Sequence, residues 1–570
     1  MLLAGLWQST GCTFGELPPE ERPILGDGSS SLTGGPEPSL LPALAETADR
    51  TIPPVSGGTL EANDDYIVAG DPTRDVVWII RHEDHALRSS GRVDLPMGAE
   101  PGRLLLRGDR ALVVLRGAGT VADIDLANAM VLSQTEVCEA PRGIDARRVG
   151  FVVACVDGSL VFLDDALRVT ERRRLVPDLR DVVVEYDRPD HETLWVSTYR
   201  KATVLEVRED ETVVHEIEPL DAHLPRVAWR MRAREGGGVD VLHQQMSDAN
   251  FTGAPLAYYG SARTLPPARI VRTALVHVRR DGSQNVTTAD GVTLAVDFVR
   301  QGNDVSLAAA YVRSRDTDPA PGVYRMGPLT LRKTQGNVPT ESVALLGDLV
   351  VSFSPRNGLL VTDFGEIPLA NPVIDTGHDL FHATTPAEVT CASCHPAGRD
   401  DAYVWQFSGV ERRTQPLTGG LLASGPYHWA GDLVDLEAVV FGTFDTRMDG
   451  PDVTPSQVAA MGAWLDGLPA LRIPSDDLDA VARGELAYGV RGCADCHDAT
   501  ADPASTVLRS SFGNTIQAPP LFGVGLRAPY FVDGCAETLH EALGPAPCAA
   551  GHPVLTGDEL DDMVTYLEQL

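Results

Sequence analysis

No apolar run in the 570-residue chain approaches the roughly 18 residues of a membrane-spanning helix, which excludes an integral membrane protein of that kind. Positive charge is equally scarce: 47 Lys and Arg stand against 80 Asp and Glu, for a formal net charge of −33. Nothing in that balance would neutralise a run of phosphates, so nucleic acid is excluded as a partner. The acidity is not that of a disordered polymer either, because charged residues make up only 22% of the chain and apolar residues 43%. Length and apolar content suffice for several domains with cores of their own. The composition is that of a soluble, acidic, multidomain protein.

Cysteine is sparse but patterned. Four of the nine cysteines form two C-x-x-C-H pentapeptides, Cys391-Ala-Ser-Cys394-His395 and Cys493-Ala-Asp-Cys496-His497. Two thiols at this spacing can each form a thioether with a vinyl group of one haem, and the adjoining His is then placed as an iron ligand. Chance order would give on the order of 0.004 such pentapeptides in this composition. Zinc binding and a thioredoxin-like dithiol are the alternatives. Paired zinc-ribbon cysteines usually lie about 15–20 residues apart, and a redox dithiol needs no following His. The two motifs here are 102 residues apart. Two covalent haem c groups are therefore expected, on Cys391, Cys394, Cys493 and Cys496, with His395 and His497 as iron ligands.

The 102-residue offset continues beyond the motifs. Thr454-Pro455-Ser456-Gln457 and Thr556-Gly557-Asp558-Glu559 both read as capping boxes, and Pro455 takes the favoured first helical position. The apolar stripe Val458, Met461, Leu465 and Leu468 matches Leu560, Met563, Leu567 and Leu570. Pro426-Tyr427-His428-Trp429 aligns with Pro529-Tyr530-Phe531-Val532 at an offset of 103. Two copies of one unit are expected, at 371–470 and 471–570, each near the size of a small helical haem domain. In the first copy Met448 lies in a polar loop and is expected to be the second iron ligand; a core methionine is the alternative. In the second, His552 takes the matching place, His540 is its competitor, and Met563 belongs to a helix stripe. A Met/His iron runs at higher potential than a His/His iron, which would give electrons a direction.

This tandem unit resembles the bacterial di-haem cytochrome c peroxidase family. The resemblance covers about the last 200 residues and rests on the paired motifs, on Gly377-His378-Asp379-Leu380-Phe381, and on the Pro-Tyr-x-x-x-Gly segments. It implies a haem that receives electrons from a redox partner protein, a second haem that reduces peroxide, and a calcium ion between the haem domains. It also gives Trp429 the part of an inter-haem electron relay. Active members carry a Glu directly before the Met, where this chain has Arg447. Electron transfer is therefore the expected function, with hydrogen-peroxide reduction as the alternative.

Ahead of this unit, residues 13–58 are rich in Pro, Gly, Ser and acids and read as a linker. From 59 to 370 short β-branched runs recur, as in Ala111–Leu115 and Phe151–Cys155, about 40 residues apart. Four strands per such period mark a β-propeller of roughly seven blades, with a long loop interrupting one blade between 245 and 295. A pair of β-sandwiches is the alternative. The expected fold is thus an all-β propeller followed by two mainly α-helical c-type cytochrome domains. His82-Glu83-Asp84-His85 reads as a polar turn rather than a metal site, His243-Gln244-Gln245 as a strand end, and Asn250-Phe251-Thr252 as a formal glycosylation acceptor. Cys138 with Cys155, and Cys535 with Cys548, are expected disulfides of an oxidising compartment; buried thiols are the alternative. Residues 1–12 end on Gly11-Cys12 and resemble a lipoprotein signal remnant, with Cys12 lipidated and the lipid as the only link to a membrane. A bacterial periplasmic or outer-membrane lipoprotein follows from these readings. A second hypothesis makes the propeller the working part, binding a protein or glycan, with haem as sensor.

Overall fold

The β-branched runs pair with their immediate chain neighbours, because turns of two to five residues favour adjacent antiparallel strands. In the computed structural model they build seven four-stranded antiparallel sheets, over residues 60–94, 101–136, 141–174, 179–215, 223–288, 295–335 and 342–368. The structure describes residues 39–570 apart from 43, 84–85, 189–190, 210, 252–268, 317, 328–329, 408, 446–447, 498–506, 510–514 and 546–551. Seven consecutive sheets of this kind are the blades of a β-propeller.

Ring closure lies between the first and last blades. The Thr59 amide donates to Ser342 Oγ at 2.8 Å, and Leu60 and Trp78 share an apolar cluster with Phe353 and Leu360. Each inter-blade layer is an apolar cluster of this type, such as Val152 and Phe162 against Val184 and Val196. Closure removes the open edges that a free sheet would present. The fifth blade is interrupted after Val239–Ser247 and resumes with Val271–Val278. Within that interruption Asn250–Phe251 forms a short strand parallel to Val404–Phe407 of the C-terminal region.

Residues 371–570 correct the expectation of two mainly α-helical cytochrome domains. They hold eight α-helices among the described residues, the longest being Leu478–Val490 with 13 residues. Two small hairpins, a few 3-10 and π turns and irregular stretches make up the rest of the described residues. The helical stripes are real where they occur. Pro455–Asp466 starts at a Thr454–Gln457 capping box and buries Val458, Met461 and Leu465. Its counterpart Asp558–Glu568 begins after Gly557 at φ 59° and has no side-chain cap, so the box expected at Thr556 is not formed. Three acids in its first turn favour the positive end of the helix dipole instead. Between motif and closing helix, residues such as Ala402, His428, Asp449 and Phe531 take positive φ, which a helix does not allow. A bundle is also unnecessary here, because the propeller supplies the other half of the first copy's core. Phe381, Met461 and Trp464 share one apolar cluster with Trp229, Phe298 and Tyr311 of the propeller.

The presumed linker is packed from residue 39 where it is described. Leu41, Ile52 and Val55 are buried, Trp464 Nε1 donates to the Ile52 carbonyl at 2.8 Å, and Gln457 Nε2 donates to that of Pro42 at 2.7 Å. This strap fastens the C-terminal region to the ring. Cys12 and the other residues before 39 lie outside the described residues. No described helix is long and apolar enough to cross a membrane.

Candidate functional site

Thr390 positions the first motif. Its Oγ1 accepts from the Ser393 amide and Ser393 Oγ accepts from the Thr390 amide, both at 3.1 Å, a capping box that forces Cys391–Cys394 into one helical turn. His395 ends the turn, and its Nδ1 bonds the Arg399 carbonyl at 3.2 Å. With Nδ1 engaged, Nε2 is the nitrogen left for a metal, the arrangement seen when histidine ligands are oriented by a second partner. Burial lowers the pKa of this imidazole, so the ring is neutral and can ligate.

Both thiols are free; burial pushes Cys391 up to about 12 and raises Cys394 as well. A reactive dithiol or a zinc thiolate needs the opposite shift. The thiols, His395 and Met448 line one cavity of about 320 Å³, together with Phe381, Tyr427 and Phe444. Met448 is 5% exposed, and its amide bonds the Thr443 carbonyl at 2.9 Å. It faces the cavity while belonging to the same apolar cluster as the core. An apolar cavity with two thiols, a neutral imidazole and a thioether on its wall fits a covalently held haem.

Buried ion pairs fix this site to the ring. Arg399, four residues after His395, donates to Asp178 Oδ1 at 2.8 Å, and Arg200 Nη1 donates to Asp400 Oδ1 at 2.7 Å. Asp178 also receives Arg142 and Arg200 at 2.9 Å each. Burial pushes the Asp178 carboxyl up, and the charges of Arg399, Arg200 and Arg142 more than reverse this, holding it well below the usual carboxylate range. Gln244 Nε2 donates to the Ser393 carbonyl at 3.2 Å, so the His243-Gln244-Gln245 strand touches the Cys391–Cys394 turn directly. Neither this clamp nor the Thr390 box was read from the sequence, although Thr-x-x-Ser around the motif is a legible capping signal.

The second site repeats the scheme in a more open setting. Cys493 and Cys496 are half-buried, and His497 Nδ1 bonds the Pro519 carbonyl at 2.8 Å. The His552 ring lies 6.0 Å from that of His497, with planes 26° apart, and Phe531 sits at 5.3 Å. One ion bound by both imidazoles at about 2 Å would set the ring centres roughly 6 Å apart. His552 Nδ1 is buried without a hydrogen-bond partner. Burial lowers the pKa of both rings, and His497 lowers that of His552 further. His540 is exposed and bonds Asp561 at 3.1 Å, and Met563 is 1% exposed within the helix core.

Pro519 joins the two sites: its carbonyl holds His497 while its ring lines the first cavity. Trp429 lies on the seam between the copies. Its Nε1 donates to the Arg413 carbonyl at 2.6 Å, and its own carbonyl accepts from the Gln517 amide at 2.8 Å. Cys138 and Cys155 form a disulfide with Cα atoms 6.3 Å apart. Cys535 is disulfide-bonded, whereas Cys548 and Arg447 lie outside the described residues. His82 Nδ1 bonds the Asp64 carbonyl at 2.9 Å, and Asp84 and His85 lie outside the described residues.

No family model and no curated protein matches the chain. Among solved structures it is similar to Kuenenia stuttgartiensis hydrazine synthase, at 11% identity and TM-score 0.41 over 57% of this chain and 97% of that one. It is similar to BBS1N from its complex with ARL6DN, at 11% identity and TM-score 0.39 over 58% and 98%. The computationally designed Ika8 protein matches at 10% identity and TM-score 0.35 over 57% and 99%. Likeness at this level assigns no function, and the fold rests on the strand pairing above. The class readings of cytochrome and oxidoreductase made from the motifs are corrected by these findings. Most of the described chain is propeller, no family model supports those classes, and among the described residues no group of three or more His, Cys, Asp or Glu converges to hold a metal ion.

Proposed function

We propose that the chain is a propeller-based binding protein whose C-terminal region carries two covalent haem groups as sensors. Cys391, Cys394 and His395 would hold one and Cys493, Cys496 and His497 the other, with Met448 and His552 as second ligands. The observation that carries the reading is the cavity of about 320 Å³ that gathers both thiols, His395 and Met448 on the ring's flank. Haem supplies an iron that changes oxidation state or takes a small ligand. The chain's own residues do the rest: Phe381 and Phe444 exclude water, Arg399 orients His395 through its carbonyl, and Gln244 and Asp178 tie the haem turn to the fifth and fourth blades. A change at the first site therefore bears on the ring that would hold a protein or glycan partner. The Cys138–Cys155 disulfide supports an oxidising compartment, where c-type haem is attached.

The test is expression with a haem-attachment system, then denaturation and intact-mass measurement. Two retained haem masses are expected, with one lost in Cys391→Ala/Cys394→Ala and the other in Cys493→Ala/Cys496→Ala. A denatured chain of unmodified mass overturns the reading. Electron passage between the two groups is a second reading, favoured by Pro519, which touches both sites. Redox titration checks it: each midpoint should move when the other site is emptied.

A further inference from the structure

The first cavity is walled by both copies. Gln517, Pro519, Pro520 and Arg527 of the second copy line it together with the Cys391–His395 motif of the first. Among the described lining residues, Arg527 is the only one with a permanent charge, and none is an Asp or Glu. Arg527 is 7% exposed. Its Nη1 donates to the Pro520 carbonyl at 2.5 Å and its Nη2 to the Phe522 carbonyl. A guanidinium has five N–H groups, so two neutral carbonyls leave the others open. Burial and the charge of Arg413 lower its pKa to about 9, which still leaves it charged at neutral pH.

The acids around it serve other groups. Asp400 attracts Arg527, but that carboxylate accepts from Arg200 at 2.7 Å and lies 3.1 Å from Arg413. Asp401 accepts from the Tyr403 amide at 2.9 Å and is bonded by the Thr414 side chain. A buried charge answered by carbonyls alone is costly. The local turn does not require it. At the 103-residue offset the place of Arg527 is taken by Ser424, ahead of the same Pro-Tyr pair. Both turns close alike, the Ser424 amide on the Leu421 carbonyl and the Arg527 amide on that of Val524, each at 3.0 Å. The guanidinium is thus an addition of the second copy, placed on the wall of the first copy's cavity.

We propose that Arg527 binds a propionate of the haem at the first site, so that one copy supplies the charge partner of the group held by the other. This rests on the haem reading above. A guanidinium takes a carboxylate through paired N–H donors, which answers the buried charge better than carbonyls do. A fixed positive charge near an iron also favours its reduced form, so the second copy would help to set the potential of the first site.

The test uses the full chain with haem attached, in the Cys493→Ala/Cys496→Ala background so that only the first group is read. Arg527→Gln should lower its midpoint and shift the propionate bending band in resonance Raman spectra. Arg527→Lys, which keeps the charge and loses the paired donors, should restore most of the midpoint. An arginine that only braces its loop would change stability and leave the band in place. Attached haem whose band and midpoint stay unmoved in Arg527→Gln overturns this proposal and leaves the haem reading standing. A chain of unmodified mass overturns both. If Arg527→Gln does not fold, the crystal structure of the loaded, unaltered chain decides. A propionate oxygen about 3 Å from the guanidinium is then expected, and propionates that reach only solvent overturn the proposal.

Discussion

The two C-terminal copies share one skeleton and differ in what they lean on. In both, a left-handed glycine opens a 3-10 turn, Gly420 before Leu421–Ala423 and Gly523 before Val524–Leu526. Both then make a one-residue β-bridge, Tyr427 to Leu433 and Tyr530 to Ala536, and start a five-residue helix at a side-chain cap, Asp435 or Thr538. The first copy merges its apolar residues with the propeller core, while the second closes on itself around Leu539, Met563 and Leu567. The second meets the ring through a small patch in which Ile473 and Leu526 pack on Ala140 and Val156. The difference teaches that a repeated unit can take the environment of its site from its neighbour. Against the ring, the motif histidine lies on the wall of an apolar cavity with a thioether; away from it, the counterpart is half-buried beside a second imidazole.

The comparison breaks most sharply at the ion pairs. Asp178→Ala leaves Arg142 and Arg399 in the interior without a carboxylate and Arg200 with Asp400 alone, and should cost about 3–5 kcal/mol, with loosening concentrated in residues 371–470. Glu537→Ala removes an exposed pair between the second copy and Lys201 and should cost under about 1 kcal/mol. Chemical denaturation gives the totals and hydrogen exchange locates them. Equal costs would mean that both copies hold the ring alike.

Removing the Cys138–Cys155 bridge acts on the other copy. The bridge closes 17 residues of chain, for which loop entropy gives about 3 kcal/mol. Ala140 and Val156 follow its two cysteines and form the floor under Ile473 and Leu526. Cys138→Ala/Cys155→Ala should therefore deprotect residues 471–570 before 371–470 in hydrogen exchange. The reverse order would sever the link between the third blade and the second copy.

The two methionines sharpen the comparison without large energies. Met448→Leu and Met563→Leu conserve volume and should each cost under about 1.5 kcal/mol. Only Met448→Leu should alter the low-temperature EPR signature of the haem-loaded protein, because Met563 lies in the helix core. An altered signature in Met563→Leu, with none in Met448→Leu, would exchange their roles.

Legibility followed how local each feature is. The blades were readable because strand runs and turns recur within about 40 residues, a period that the chain itself displays. The paired motifs and the 102-residue offset were readable for the same reason. The helical content was over-read, since an apolar stripe such as Val458, Met461 and Leu465 reports only a buried face. It does not say that the 40-odd residues before it are irregular and rest on another domain. Arg399, Asp400 and Asp178 were invisible because an ion pair spanning 221 residues leaves no trace in spacing. The packed strap was missed because Pro-, Gly- and Ser-rich sequence describes a chain without regular structure, and such a chain can still be buried.

The smallest effect concerns pH and the open site. His497 and His552 both bind protons more weakly than an ordinary imidazole, through burial and, for His552, through the neighbouring ring. A group whose pKa is lowered by folding contributes its stability above its unfolded value, about 6.5 for His, and loses it as pH falls. In the chain prepared without haem, acidification from about 7 to 5 should therefore loosen residues 471–570, read as faster proteolytic cleavage there by a protease whose own pH dependence is subtracted. His552→Gln removes one of the two titrating rings and should flatten that dependence while leaving cleavage at pH 7 nearly unchanged. In the first copy the same acidification has a counterweight. Burial raises Asp401 to about 7, so its contribution is fully present below the ordinary Asp value and fades only as pH rises towards 7. His378, His382 and His395 of the same copy are lowered by burial and act as His497 and His552 do, so Asp401 offsets only part of their loss. Asp401→Asn should steepen the acid loosening of residues 371–470, and an unchanged slope would remove Asp401 from the account.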